Sequence, residues 1–251
     1  MIVWLASYPK SGNTWVRSII SSLLYTNDGI FNFNLLRQLD QFPEKKNFKN
    51  LITDFGNFNQ IKKNWITAQD IINLDGKQKL LKTHQGKFTV DGDHFTNNTN
   101  TSGVIYVVRD PRSVVISISN HYTLSINQSL EFMLSSSIIG NRKSFEEKKY
   151  GLLTLLGKWN EHYRSWTRNK ENLLLIKYED FMTGVKEKLS SILGGDEYRC
   201  LWELYQSKYY STAGEDLRRP RGILSYNSRR NKETSYKPIC RESNIVKDYL
   251  K

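Results

Sequence analysis

Residues 7–15, Ser-Tyr-Pro-Lys-Ser-Gly-Asn-Thr-Trp, gather the groups that an oxyanion needs. Lys10 offers a mobile positive charge, Ser11 and Thr14 offer hydroxyl donors, and Gly12 lets the main chain come close to a ligand. The flanks complete this chemistry. Residues 3–6 are an apolar run that predicts a short buried strand, residues 7–14 are turn-rich, and from Trp15 the apolar Ile19, Ile20, Leu23 and Leu24 recur at helical spacing. A strand, a loop and a helix in that order bring unpaired backbone N–H groups and the positive end of a helix dipole to the loop, the layout of a phosphate cradle.

The register differs from that of a nucleoside-triphosphate loop. Against the pattern G-x-x-x-x-G-K-[ST], Ser7 replaces the first Gly and Asn13 stands where the Lys is required. The positive charge has moved to Lys10, on the other side of Gly12. A P-loop kinase or nucleotide hydrolase also needs an acid to hold magnesium, and Asn13 argues against that class.

Further candidates stand at strand ends. Residues 79–84, Lys-Leu-Leu-Lys-Thr-His, predict a strand carrying its polar residues out at the C-terminal end, the edge where doubly wound sheets bind ligands. His84 has an imidazole whose ordinary pKa near ~6.5 suits proton transfer, although a His at a strand end is also a common surface or hydrogen-bonded residue. His94, His121 and His162 have no such context. Residues 104–108 give the strongest buried-strand signal and end in Arg109-Asp110-Pro111-Arg112, where Asp110 suits a helix cap and Pro111 a first turn, so residues 112–121 are predicted helical. Residues 173–177 predict another buried strand, with Tyr178-Glu179-Asp180 at its end.

Taken in order, these motifs resemble the sulfotransferase family. Tyr8-Pro9-Lys10-Ser11-Gly12-Asn13-Thr14-Trp15 is similar to that family's 5′-phosphosulfate loop, usually Tyr-Pro-Lys-Ser-Gly-Thr-Thr-Trp, with Asn13 the one departure. Lys82-Thr83-His84 resembles the family's Lys-Thr-His-Leu-Pro, whose His acts as the catalytic base, but Gln85-Gly86 comes next here and only the triplet matches. Arg109 with Ser117, eight positions on, resembles its 3′-phosphate-binding pair; an Arg fork and a hydroxyl suit a phosphate dianion, and a structural Arg paired to an acid is the alternative. Tyr178-Glu179-Asp180 resembles a segment placed near the adenine, which makes Tyr178 and Trp15 candidates for stacking on the base. Arg221-Gly222 is a weaker match to an Arg-Lys-Gly loop that grips the 3′-phosphate, since the Gly-Asp-Trp that comes after it in the family is absent.

The resemblance implies transfer of a sulfuryl group from 3′-phosphoadenosine 5′-phosphosulfate (PAPS) to a hydroxyl on a small molecule, sugar or lipid. In that scheme Lys10 and the backbone amides of residues 11–14 take the charge on the leaving phosphate, His84 takes the acceptor's proton and Lys82 holds the transferring oxygens. No metal is required. The implied fold is α/β, a parallel sheet with helices on both faces of the kind found in P-loop nucleotide hydrolases.

The remaining stretches carry no motif that names an acceptor. Residues 27–60 are rich in Asn and Phe with weak periodicity, and Phe31, Phe33, Phe42, Phe48, Phe55 and Phe58 are read either as a wall for an apolar substrate or as core. Residues 61–74 predict a helix closed by the Asp75-Gly76 turn, and residues 91–101 a polar loop that caps the site or moves. A short helix is predicted at residues 129–137, and one long amphipathic helix carrying Leu152, Leu155, Leu156, Trp159, Tyr163 and Trp166. Two more helices are predicted at residues 181–193 and 196–205, before an Arg-dense stretch at residues 217–232.

The 251 residues suffice for one domain with a sizeable core, and a single sulfotransferase-like domain over residues 1–251 is expected. No apolar run approaches the ~20 residues that span a bilayer, and the N-terminus enters the first strand without a signal-peptide pattern, so a cytoplasmic location is the default expectation. Cys200 and Cys240 lack metal-ligand spacing and are read as ordinary thiols. A net charge of +12 points to anionic partners without choosing among nucleotide, nucleic acid, acidic glycan and membrane. A basic nucleic-acid-binding protein is a rival reading of the Arg-rich end, but it has no need of the loop, and no nucleic-acid partner is expected.

Overall fold

The computed structural model describes residues 1–140 and 152–183. In chain order the elements are β1 (Ile2–Ser7), α1 (Asn13–Tyr25), a 3-10 turn at Phe33–Gln38, α2 (Lys45–Phe48), α3 (Phe58–Lys63), α4 (Trp65–Asn73) and β2 (Lys79–Thr83). A hairpin of β3 (Thr89–Val90) and β4 (Asp93–His94) precedes β5 (Thr101–Val108), α5 (Pro111–Tyr122) and α6 (Ile126–Leu134). A second ribbon, β6 (Ser137–Ile139) with β7 (Thr154–Gly157), leads to α7 (Trp159–Thr167), β8 (Leu173–Lys177) and α8 (Tyr178–Thr183).

Every residue of β1 is buried, as an unbroken apolar run requires, and β1 lies inside a four-stranded sheet of order β2-β1-β5-β8. All three pairings are parallel. Alternation along β1 splits the core in two. Val3 and Leu5 meet Ile105, Val107 and Ile176 on one face, where Val16, Ile19, Ile20 and Leu23 of α1 cover them. Trp4 and Ala6 face the other way, into a cluster that includes Phe42, Phe48, Trp65, Phe95, Tyr106 and Trp166. Helices therefore lie on both faces of a parallel sheet, the α/β arrangement expected from the sequence.

Four sequence expectations need correction. The helix expected at residues 61–74 is broken at Asn64 into α3 and α4; Asn64 leaves helical geometry with ψ at 9°. The helix expected at residues 129–137 starts earlier, because Ser125 caps it and forms a reciprocal pair with Gln128, and Ser137 already belongs to β6. Leu152, Leu155 and Leu156 are not on a long helix. Leu155 exchanges hydrogen bonds with the segment after β2, its N–H donating to Gln85 Oε1 at 2.7 Å and its carbonyl accepting from Gly86 N–H at 2.9 Å. Gly157, at φ 65°, then lies against the Phe88 ring, and the helix begins only at Trp159. Residues 91–101 do not cap the ligand edge. They turn back to its opposite end, where Ile2 N–H donates to Asn100 O at 2.7 Å and Thr96 and Asn100 bond to Gln69 and Asp70.

Phe42 and Phe48 are fully buried core residues, and Phe55 and Phe58 pack on the same cluster. Phe31 and Phe33 pack on each other, with ring centroids 5.2 Å apart. Residues 141–149, the helix expected at 196–205, most of that at 181–193, Arg221, Gly222, Cys200 and Cys240 lie outside the described residues. Among the described residues, no helix is long and apolar enough to cross a membrane.

Candidate active site

The parallel sheet brings its four carboxyl ends together, and each leads into a candidate residue. The register pairs Ala6 with Thr83, Ser7 with Val107 and Val108 with Lys177. Tyr8 to Asn13, His84, Arg109 and Tyr178 therefore leave the sheet along one edge.

The loop after β1 has the shape of an anion cradle. Lys10 and Gly12 both take positive φ, 68° and 100°, which turns the chain sharply before α1 begins at Asn13. The helix start leaves the first amides of α1 without intrahelical acceptors. Thr14 is exposed, Lys10 is half-buried, and burial together with the nearby Arg109 charge lowers the Lys10 pKa. Asn13 turns its side chain inward, its amide donating to Leu5 O at 3.3 Å and Ser7 Oγ at 3.1 Å. In this loop, then, Asn13 staples the turn to its strand, and only its backbone N–H is available to a ligand. Trp15 is half-buried, with part of its ring packed on the α1 side of the core.

Arg109 and Tyr178 close over that loop. The guanidinium lies 4.4 Å from the Tyr178 ring centroid and donates to Lys10 O at 3.2 Å. Tyr178 in turn lies so near Gly12 that a Cβ there would overlap the ring. Ser117 is half-buried on α5, whose start is fixed by Asp110 accepting from Arg112 N–H. Arg109 Nε, Ser11 Oγ, Tyr8 Oη and Asn13 Oδ1 are buried with no hydrogen-bond partner among the described residues. Buried polar atoms are rarely left so; Arg109 Nε–H and the Ser11 hydroxyl are donors at the cradle and fit an anionic ligand, whereas Asn13 Oδ1 can only accept.

His84 sits beside the loop in a defined state. Its Nδ1 is 2.7 Å from Ser7 O and 3.3 Å from Ser7 Oγ. A carbonyl only accepts, so Nδ1 carries the proton and Nε2 of the neutral ring keeps its lone pair. Burial, and then the Lys82 charge, hold the His84 pKa well below its ordinary value. Lys82 is itself buried, and burial reinforced by Arg17 lowers its pKa to about 7. Its Nζ donates to Gln41 Oε1 at 2.7 Å.

Sequence reasoning passed over His162, Gln41, Gln85 and Trp166. His162 is fully buried beneath His84, its Nε2 3.0 Å from His84 O, while Trp166 Nε1 donates to Gln85 O at 3.0 Å. The signal was present: His162 and Trp166 are one helical turn apart, a polar ring within the aromatic stripe. His94, on the hairpin, pairs with Thr89, and burial, then the nearby Lys10 charge, lower the His121 pKa.

Comparison with known proteins finds sulfotransferases. Curated relatives include sulfotransferase 1 family member D1 of Mus musculus, 25% identical over 193 residues, covering 76% of this chain and 57% of the relative. Luciferin sulfotransferase of Photinus pyralis is 26% identical over 75% of this chain and 48% of its own length. Amine sulfotransferase of Oryctolagus cuniculus is 26% identical over 77% and 56%. This chain thus spans about half the length of the curated relatives it matches. Among solved structures, mouse sulfotransferase SULT7A1 complexed with PAP aligns with a TM-score of 0.47 at 18% identity, over 85% of this chain and 67% of that one. Retinol dehydratase in a complex with retinol and PAP aligns with a TM-score of 0.49 at 16% identity, over 84% and 66%. The family described as the sulfotransferase domain matches residues 2–194, and the chain belongs to that family.

Proposed function

We propose that this protein transfers a sulfuryl group from PAPS to a hydroxyl of a small molecule, sugar or lipid, with His84 as the general base. The observation that carries this reading is the His84 ring beside the anion loop, its Nδ1 proton held by Ser7 O and its Nε2 left as an acceptor. Lys10, Ser11 and the amides at the start of α1 receive the 5′-phosphosulfate end, Arg109 and Ser117 the 3′-phosphate, and Tyr178 and Trp15 the base. As the acceptor oxygen bonds to sulfur, its proton moves to His84 Nε2 and the bond from sulfur to the phosphate oxygen breaks. The charge released on that phosphate meets Lys10 and the loop amides, which act on the transition state without a metal. Lys82, beside His84, steadies the transferring oxygens in its charged form. Relatives named for luciferin, amines and 3-beta-hydroxysteroids favour a small-molecule acceptor.

The test is calorimetric binding of 3′,5′-adenosine bisphosphate without magnesium. Native protein is expected to bind it, and Lys10→Ala and Arg109→Ala each to weaken it. No binding, or binding of ATP only with magnesium, would overturn the reading in favour of a kinase-like phosphotransferase. His84→Gln should leave that binding intact while lowering transfer from labelled PAPS by roughly 100-fold or more, the range for losing a positioned acid–base group.

A further inference from the structure

Below the loop and the base lies a buried polar chain for which the transfer chemistry has no use. His162 in α7 is completely buried, yet both ring nitrogens are engaged: Nε2 lies 3.0 Å from His84 O and Nδ1 2.8 Å from Tyr106 Oη. The carbonyl can only accept, so Nε2 bears the hydrogen and Nδ1 accepts from the Tyr106 hydroxyl. Tyr106 stands on β5 in register with Ala6, just before the anion loop. Tyr8 packs edge-on against the His162 ring, centroids 5.4 Å apart. One imidazole therefore ties the loop to the residue beside it. The same helix grips the segment just after His84, with Trp166 Nε1 donating to Gln85 O and Ser165 Oγ accepting from Lys87 N–H, both at 3.0 Å.

We propose that His162 is a positioning residue for His84: hydrogen-bonded between Tyr106 and the His84 carbonyl, it fixes the His84 main chain so that the Nδ1 proton stays on Ser7 O and Nε2 faces the acceptor. This rests on the reading of His84 as the base. A buried His that merely fills the core would satisfy its nitrogens anywhere. Here one of the two bonds goes to the backbone of the base itself and the other to Tyr106, while the ring packs on Tyr8 of the anion loop. Burial also holds the His162 pKa down, at about 4, so the ring stays neutral and its donor and acceptor do not exchange roles near neutral pH.

Nitrogen-15 NMR of the imidazole rings in the full chain, saturated with 3′,5′-adenosine bisphosphate, tests this directly. His84 in the native protein is expected as one neutral tautomer with the proton on Nδ1. His162→Leu should convert it to a mixture of tautomers while adenosine bisphosphate affinity is unchanged. His162→Gln, whose amide can donate to the carbonyl and accept from Tyr106, should restore the single form. A single Nδ1-protonated form persisting in His162→Leu would overturn the proposal, as would equal disturbance in His162→Gln. If the Leu variant does not fold, His162→Asn, whose shorter amide reaches Tyr106 but not the His84 carbonyl, takes its place, and the same two outcomes decide. Native His84 carrying its proton on Nε2 would instead overturn the base reading, and with it the role assigned to His162.

Discussion

At the scale of single residues the site depends on close approach and on proton positions. Gly12 stands at φ 100°, and a Cβ there would overlap the Tyr178 ring, so Gly12→Ala both strains the turn and displaces Tyr178. We expect that variant to bind adenosine bisphosphate at least about tenfold more weakly, because a left-handed turn alone costs an L-residue about 1–2 kcal/mol. The two shifted groups set the pH profile. Since the His84 pKa lies below its ordinary 6.5, the basic form persists as pH falls through that value, and the acid limb of the rate should lie below pH 6.5. Lys82 loses its proton as pH rises through about 7, so the rate should decline above that point. In Lys82→Met that alkaline decline should vanish from the profile, along with part of the rate, and its persistence would assign it to another group.

At the scale of elements, strand ends and helix starts aim the side chains. Asp110 caps α5 while its backbone N–H donates to Glu179 Oε1 at 2.8 Å, so one residue joins the helix after β5 to the start of α8. Asp110→Ala should cost about 1 kcal/mol, the usual value of a lost N-cap, read as a lowered denaturation midpoint with unchanged slope. The same variant should weaken adenosine bisphosphate binding, because Arg109 precedes the cap. The caps and strands that frame the site were legible in the sequence: the buried runs at β1, β5 and β8, the Asp110-Pro111 start of α5, and the polar end of β2. The parts that were not legible depended on distant partners. Leucines 152, 155 and 156 have helical spacing, yet Gln85 and Phe88, far away in sequence, hold that segment extended. His162 looked like one ordinary His among aromatics, because only the folded chain brings it under His84.

At the scale of the whole molecule, the buried imidazoles make stability depend on acidity. His162 has a folded pKa of about 4 against about 6.5 when unfolded, so the unfolded chain binds the extra proton first. Stability from this group is complete above pH 6.5 and is lost as pH falls toward 4, a difference of about 3 kcal/mol in all. Denaturation at stepped pH should show that decline, and His162→Gln should flatten it, whatever the variant's stability at pH 7. The enclosure of Gly12 by Tyr178 carries a consequence of another kind. Gly12 lies in the loop after β1, and Tyr178 is made only after β8, the last in chain order of the sheet's strands among the described residues. During synthesis the loop stays roofless until that strand docks, so a nascent chain stopped before β8 should be unable to retain the nucleotide. Once seated between them, the nucleotide would act as a fastener joining the segment after β1 to the one after β8, slowing the detachment of β8.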